Sequence, residues 1–184
     1  MRAGSAALLG LLAAWLPASE SDVSAHRLDE YLYAARLAIN SDGVQLELRL
    51  TPGIAVADAV LREIDTDRDA VLSQAERRAY LQRVLSGLSL RIDDGAVPLQ
   101  LAVSDFPAVA TLRGGDAAIL LRIDARPPHL TAGAHRVSFR NGNATHGAVY
   151  LANALLPDDR RITITGMQHA MDQSGLTVAF VLRP

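Results

Sequence analysis

The chain has 184 residues, of which 49% are apolar, 21% charged and 4% aromatic, and this composition suits one globular domain. The formal net charge is −2 and all 18 basic residues are arginine, so the chain lacks the basic surplus that a nucleic-acid partner requires. The absence of cysteine excludes disulfides, thiolate zinc sites and cysteine nucleophiles.

The first 25 residues have the features of an export signal. Arg2 gives a positively charged start, and residues 6–16 form an apolar run that is too short to span a bilayer. A small-residue pattern at residues 23–25 favours cleavage after Ala25, with Ala18 as the alternative. We therefore predict a signal peptide over residues 1–25. The single domain over residues 26–184 is then exported, periplasmic or extracellular, and carries no transmembrane segment.

Most of the remaining chain has the pattern of β-strands. Val44, Leu46, Leu48 and Leu50 alternate with polar residues, which is the period of a strand with one buried face. Residues 31–39 are the expected hairpin partner, and residues 40–43 supply the turn. Further predicted strands cover residues 88–92, 97–103, 118–124, 135–140, 148–153, 161–167 and 176–182, with a tight turn at residues 94–95. Many short strands favour a mainly β, α+β domain resembling an antiparallel β-sandwich.

Residues 54–87 change to a helical period. Val56, Val60 and Ile64 recur on one face of a first helix, while Leu81 and Leu88 belong to the apolar face of a second. A polar loop separates the two helices, and the second is expected to stop at Gly87. The sequence therefore predicts one helix-loop-helix inserted in the β domain.

The loop between these helices carries carboxylates at relative positions 1, 3, 5 and 12 of a twelve-residue stretch, residues 65–76. This spacing resembles the EF-hand calcium loop, in which alternate oxygen ligands and a closing glutamate surround one Ca²⁺ ion. The predicted ligands are the side chains of Asp65, Asp67, Asp69, Ser73 and Glu76 and the backbone carbonyl of Val71. The spacing of Ser73 and Glu76 also matches a capping box, which would start the second helix.

One loop position departs from the EF-hand pattern. Position 6 is normally glycine because the backbone there has a positive φ, and this chain has Ala70. The conformation costs a non-glycine residue about 1 kcal/mol, which would weaken binding roughly five- to tenfold if the metal had to form the loop. Because the sequence has one such loop, calcium is expected to be a structural clip rather than a switch. A degenerate loop that binds no metal is the competing interpretation.

A second metal hypothesis concerns the new N-terminus. Cleavage after Ala25 would expose His26, whose α-amine and imidazole can chelate copper or nickel together. This alternative needs another ligand, and His129, His135, His146 and His169 are candidates without paired spacing. No nucleophile elbow or catalytic dyad is visible, so we do not expect an enzyme.

Several segments together resemble a bacterial exported domain that often precedes the membrane region of proteins related to the HupE/UreJ type of nickel-associated accessory proteins. The resemblance rests on residues 28–31 (LDEY), 50–53 (LTPG), 56–58 (VAD) and 147–155 (GAVYLANAL), together with the acidic loop. It implies an accessory or binding module, with a membrane permease or other envelope protein as the kind of partner. Because the sequence ends at Pro184 without a membrane-spanning segment, transport itself is not expected to carry over.

Overall fold

The structure is a computed structural model that describes residues 29–127, 129–144 and 147–184. The predicted signal peptide and His26 lie outside these ranges, so both remain predictions. No helix in the described part of the chain is long and apolar enough to cross a membrane.

The described chain is mainly β, with three helices inserted among ten strands. In chain order the elements are β1 (Tyr31–Asn40), β2 (Gly43–Pro52), α1 (Ile54–Ile64), α2 (Gln74–Ser86), β3 (Leu88–Ile92), β4 (Gly95–Ala96), β5 (Leu99–Asp105), α3 (Val109–Arg113), β6 (Ile119–Ala125), β7 (Gly133–Asn141), β8 (Ala148–Ala154), β9 (Ile162–His169) and β10 (Gly175–Leu182). The predicted fold class, a β-rich α+β domain with one helix-loop-helix, is confirmed.

The strands form two five-stranded sheets. The first sheet has the order β5-β6-β2-β1-β8, and the second has the order β4-β3-β7-β10-β9. Neighbouring strands are antiparallel except for β1 and β8, which run parallel, so a purely antiparallel arrangement is wrong for this pair. Alternation of apolar residues does not encode strand direction, and β8 reaches the free edge of β1 only after the chain has passed through the second sheet.

The first hairpin shows how the sequence builds these sheets. In β2, Val44, Leu46, Leu48 and Leu50 are at most 2% exposed, as their alternation predicts. At the turn, Gly43 has a φ of +141°, and an added Cβ would lie 2.3 Å from a backbone oxygen of the neighbouring strand β6. Glycine is therefore needed at this turn for both its conformation and its small size.

A single apolar core joins the two sheets and the helices. Leu37, Leu48 and Leu121 of the first sheet, and Val137 and Phe180 of the second, belong to one buried cluster. The helix pair α1–α2 connects β2 of the first sheet to β3 of the second. The loop between these helices is therefore held by elements that join directly to both sheets.

The predicted helix stop at Gly87 is confirmed; its φ is −83°, and glycine is needed there because a Cβ would lie 2.5 Å from the Asn143 side chain. Two local predictions need correction. Leu88 begins β3, as the strand pattern of residues 88–92 predicts, but it does not also belong to the second helix, because that helix ends at Ser86. The turn between β3 and β4 is formed by Asp93 and Asp94, one residue earlier than predicted, with Asp93 at a φ of 54°.

Candidate metal centre

The acidic loop begins where α1 ends. Four residues of α1, namely Ala57, Val60, Leu61 and Ile64, are buried against the core, so the last helical turn is firmly placed. Asp65 follows as the C-cap, and its N–H donates to the Leu61 carbonyl at 2.8 Å. The Asp65 side chain is consequently drawn to the inner side of the loop, and the residue is only 8% exposed.

The loop ends in the predicted capping box. Ser73 is the N-cap of α2, and its hydroxyl accepts a hydrogen bond from the Glu76 N–H at 3.3 Å. The Glu76 carboxylate reaches back and accepts from the Ser73 N–H at 2.9 Å and from the Ser73 hydroxyl at 2.8 Å. These bonds satisfy backbone donors that a helix start leaves unpaired, and they hold Glu76 on the inner side of the loop.

The same carboxylate also binds the opposite end of the loop. Glu76 Oε1 accepts hydrogen bonds from the Thr66 N–H at 2.6 Å, the Thr66 hydroxyl at 3.0 Å and the Asp67 N–H at 3.4 Å. The donors from Ser73 and Thr66 lower the pKa of Glu76 to about 2, so the group is a carboxylate at neutral pH. Sequence reasoning missed Thr66, because nothing in the spacing of acidic residues distinguishes this neutral position.

Asp65 presents one oxygen that no described group satisfies. Its Oδ2 accepts a hydrogen bond from the Ala70 N–H at 3.1 Å, whereas its Oδ1 is buried and has no hydrogen-bond partner among the described residues. A buried carboxylate oxygen without a partner is energetically costly, and its usual partners are hydrogen-bond donors or cations. Asp65 Oδ1 could therefore accept a further donor or contact a cation.

Three of the four predicted acidic ligands come together. Asp65, Asp67 and Glu76 each offer an oxygen, and these oxygens lie within 4.8 Å of one another. The Asp69 N–H donates to Asp67, which lowers the pKa of Asp67, but desolvation and the charges of Asp69 and Glu76 outweigh it, so the pKa is raised. A cation among the three carboxylates would relieve this repulsion.

The other predicted ligands lie in the loop but outside this group of three. Asp69 Oδ1 accepts a hydrogen bond from the Val71 N–H at 2.7 Å, which closes a local turn. The Val71 side chain is 62% exposed, and the Ser73 hydroxyl is occupied by the capping box. Their roles as ligands therefore remain predictions.

Ala70 has the backbone conformation that the sequence pattern predicts for position 6. Its φ is +64°, in the left-handed region that favours glycine. The strain is offset in part by the hydrogen bond from the Ala70 N–H to Asp65, which this conformation makes possible. An alanine thus occupies a backbone conformation that glycine adopts without strain.

Apolar and cationic contacts fasten the loop to the rest of the fold. Leu72 at position 8 is only 4% exposed and belongs to the core cluster, as predicted. Arg77 Nε donates to the Leu72 carbonyl at 2.8 Å, and the Arg77 guanidinium lies 5.7 Å from the centre of the Phe106 ring. No sequence pattern indicates this role of Arg77.

The histidines provide no second cluster within the described ranges. His135 binds Asp93 and a backbone carbonyl, and His169 Nε2 contacts the Ala152 carbonyl oxygen at 2.9 Å. His146 lies outside the described residues. The group formed by Asp65, Asp67 and Glu76 is the one metal-compatible cluster found among described histidines and acids.

Comparison of the chain with protein-family models, with curated proteins and with solved structures finds no match.

Proposed function

We propose that this chain is an exported calcium-binding module in which one Ca²⁺ ion clips α1 to α2. The observation that carries the proposal is the buried, unpaired Asp65 Oδ1 beside oxygens of Asp67 and Glu76. Calcium prefers carboxylate and carbonyl oxygens in a flexible shell, which matches this donor set. Magnesium is a poorer fit, because a bidentate glutamate favours the larger ion.

Competition between hydrogen-bond donors and the ion for the Glu76 carboxylate predicts a weak calcium site. Both oxygens of Glu76 already accept hydrogen bonds, from Thr66 at one end of the loop and from Ser73 at the other. An ion that takes up this carboxylate has to replace or share those bonds, which lowers the net free energy of binding. A dissociation constant of about 10⁻⁴ to 10⁻³ M, as in extracellular modules, is consistent with an exported protein.

The packing of the loop supports a structural rather than a regulatory role for calcium. Leu72 and Ile64 anchor both ends of the loop in the core, and Tyr80 of α2 is hydrogen-bonded through its hydroxyl to Tyr31 of β1. Opening of the helix pair would break these buried contacts. We therefore infer that calcium would stabilise the closed helix pair rather than open it. A non-enzymatic accessory role, with an envelope protein such as a permease as partner, is what the sequence resemblance implies and is part of the proposal.

Calcium titration of the exported form, beginning after the predicted cleavage site, tests the proposal. We expect one ion per chain by calorimetry and a rise in Tm of about 3 to 6 °C at a calcium concentration tenfold above Kd, since this ratio adds about 1.4 kcal/mol to the free energy of unfolding. Asp65→Asn and Glu76→Gln should abolish both effects. Glutamine still permits a capping box, so the second variant removes charge rather than the helix start.

Asp58→Asn is the matched control. Asp58 lies on α1, is 63% exposed and pairs with Arg113 on α3, so it loses the same charge outside the loop. The control should bind calcium as the unmodified chain does. Absence of both heat and a Tm rise at about 10 mM calcium, tenfold above the weakest expected Kd, would show that the loop is held by its hydrogen bonds alone.

A further inference from the structure

The outer face of the second sheet brings two arginines together. β3 pairs with β7 so that Arg91 lies opposite Ser138 and Ser89 lies opposite Arg140. Arg91 and Arg140 are therefore diagonal neighbours on the same face, at a Cα separation of about 7 to 8 Å. Both residues are exposed, and Thr177 of β10 lies opposite Ser138 on its other side.

These side chains border a depression of about 390 Å³. Its polar lining consists of Ser89, Arg91, Ser138, Arg140, Gln168 and Thr177, with His169 at the end of β9. Every one of these groups can donate a hydrogen bond, and no described residue of the lining is an aspartate or a glutamate. The volume falls within the range of small-molecule sites.

The outer face of the first sheet provides a contrast. Its depression, of about 440 Å³, is also bordered by arginines, but there Arg36 and Arg122 both pair with Glu47. Asp124 of the same face pairs with Arg126 at 3.4 Å. The two arginines that border the first-sheet depression thus share a carboxylate partner within ion-pair distance.

The guanidinium groups at the second-sheet depression lack such a carboxylate partner. Among the described residues, no carboxylate lies within ion-pair distance of Arg91 or Arg140. Arg91 uses one donor on the backbone carbonyl of Asp94, within its own hairpin. Asp172 interacts electrostatically with Arg140 from beyond ion-pair distance, and its Oδ1 accepts hydrogen bonds from the Ser174 N–H at 3.1 Å and the Ser174 hydroxyl at 2.7 Å. Most of the arginine donors thus remain available at the depression.

We propose that this depression binds a small, soluble, phosphate-bearing ligand, with Arg91 and Arg140 as its charged anchors. Two guanidinium forks match the oxygens of a phosphate or diphosphate, and the hydroxyls of Ser89, Ser138 and Thr177 supply neutral donors between them. A concave site suits a small ligand better than a flat membrane surface. This inference is independent of the calcium loop, which involves none of these residues.

Inorganic pyrophosphate is the probe for this site. The titration uses the exported form freed of divalent ions by an exchange resin, because pyrophosphate binds calcium and a chelator such as EDTA is itself a polyanion. We expect saturable binding at one site by calorimetry at about 0.1 M salt, where long-range attraction is largely screened. Amide resonances of Ser138 and Thr177 should shift in NMR spectra, whereas those of the acidic loop should not.

Arg91→Gln and Arg140→Gln should each weaken pyrophosphate binding roughly tenfold or more, as expected for the loss of charged hydrogen bonds. Arg140→Lys should also weaken binding, because an ammonium group lacks the planar fork. Arg122→Gln, on the outer face of the first sheet, is the matched control and should change the affinity less than about twofold. Each variant is checked for an unchanged melting curve.

Three outcomes would overturn the proposal. One is the absence of saturable pyrophosphate binding by the unmodified chain. Another is an equal loss of affinity in Arg122→Gln, which would indicate attraction to net charge alone. The last is binding to vesicles that contain phosphatidylglycerol without any binding of pyrophosphate, which would assign the face to a lipid surface.

Discussion

The strained alanine of the acidic loop allows a quantitative test of the reasoning. Ala70 has a φ of +64°, and the left-handed region costs a residue with a Cβ about 1 to 2 kcal/mol. Replacement by glycine removes this strain but gives the unfolded chain more conformational freedom, which costs about 0.4 to 1 kcal/mol. For Ala70→Gly we therefore expect a net gain of about 0.8 kcal/mol in the free energy of unfolding, the middle of a range from about 0 to 1.6 kcal/mol.

The structure also indicates whether this gain should appear in the stability of the fold or in its calcium affinity. Hydrogen bonds within the protein close the loop without an ion. Asp65 Oδ2 accepts from the Ala70 N–H, and the Glu76 carboxylate accepts from the N–H groups of Thr66 and Ser73. The strain therefore belongs to the fold with or without an ion, and most of the gain should be in stability. The calcium affinity should rise by less than the five- to tenfold that applies when the ion has to form the loop.

Urea and thermal unfolding in calcium-depleted buffer measure the effect, which corresponds to a Tm increase of about 1 to 4 °C for a domain of this size. Ala79→Gly, in the exposed interior of α2, is the matched control. There the same change should destabilise by about 0.8 to 1 kcal/mol, because the helical φ gives glycine no advantage. If Ala70→Gly destabilises as much as the control, the argument from backbone strain is wrong.

Further predictions concern other contacts of the fold. Leu72→Ala should destabilise the chain by about 2 to 5 kcal/mol in urea unfolding because its side chain is buried, whereas Val71→Ala, 62% exposed, should change stability by less than about 0.5 kcal/mol. Tyr80→Phe should cost about 1 to 3 kcal/mol in the same assay, since it leaves the buried hydroxyl that it contacts on β1 without a partner. The hydrogen bond between Asp93 and His135, at 3.0 Å, raises the pKa of His135 above its ordinary value and lowers the pKa of Asp93 below its ordinary value. The stability that this pair contributes is thus greatest between about pH 4 and 6.5, declining as pH rises through the raised pKa or falls through the lowered one. Asp93→Asn should accordingly destabilise more at about pH 5.5 than at pH 9, and equal losses at both would contradict the pairing.

Local sequence patterns were sufficient for the secondary structure around the loop. The period of residues 54–64, the spacing of Ser73 and Glu76, and the positive φ at position 6 involve residues close together in the chain. Such features depend on helix geometry, capping and Cβ sterics, which act over a few residues. The structure confirms each of them.

The arrangement of carboxylates inside the loop could be predicted only in part. Spacing alone placed four acids at the expected positions, but three of them converge while Asp69 closes a turn of its own. The short Asp69 side chain can bind either a central ion or a backbone N–H two residues ahead, and spacing does not distinguish these partners. The unpaired state of Asp65 Oδ1 depends on burial, which arises from packing against the core.

The amino-acid sequence by itself determined the fold class and the positions of the helix pair and of the acidic loop between them, because period and spacing express local geometry. Tertiary structure alone decided that β8 runs parallel to β1 and that Arg91 meets Arg140 across two strands nearly fifty residues apart in the chain. Those contacts depend on strand order and register, which follow from how two sheets share one core. An alternating strand pattern specifies which face is buried, but it does not specify the neighbouring strand.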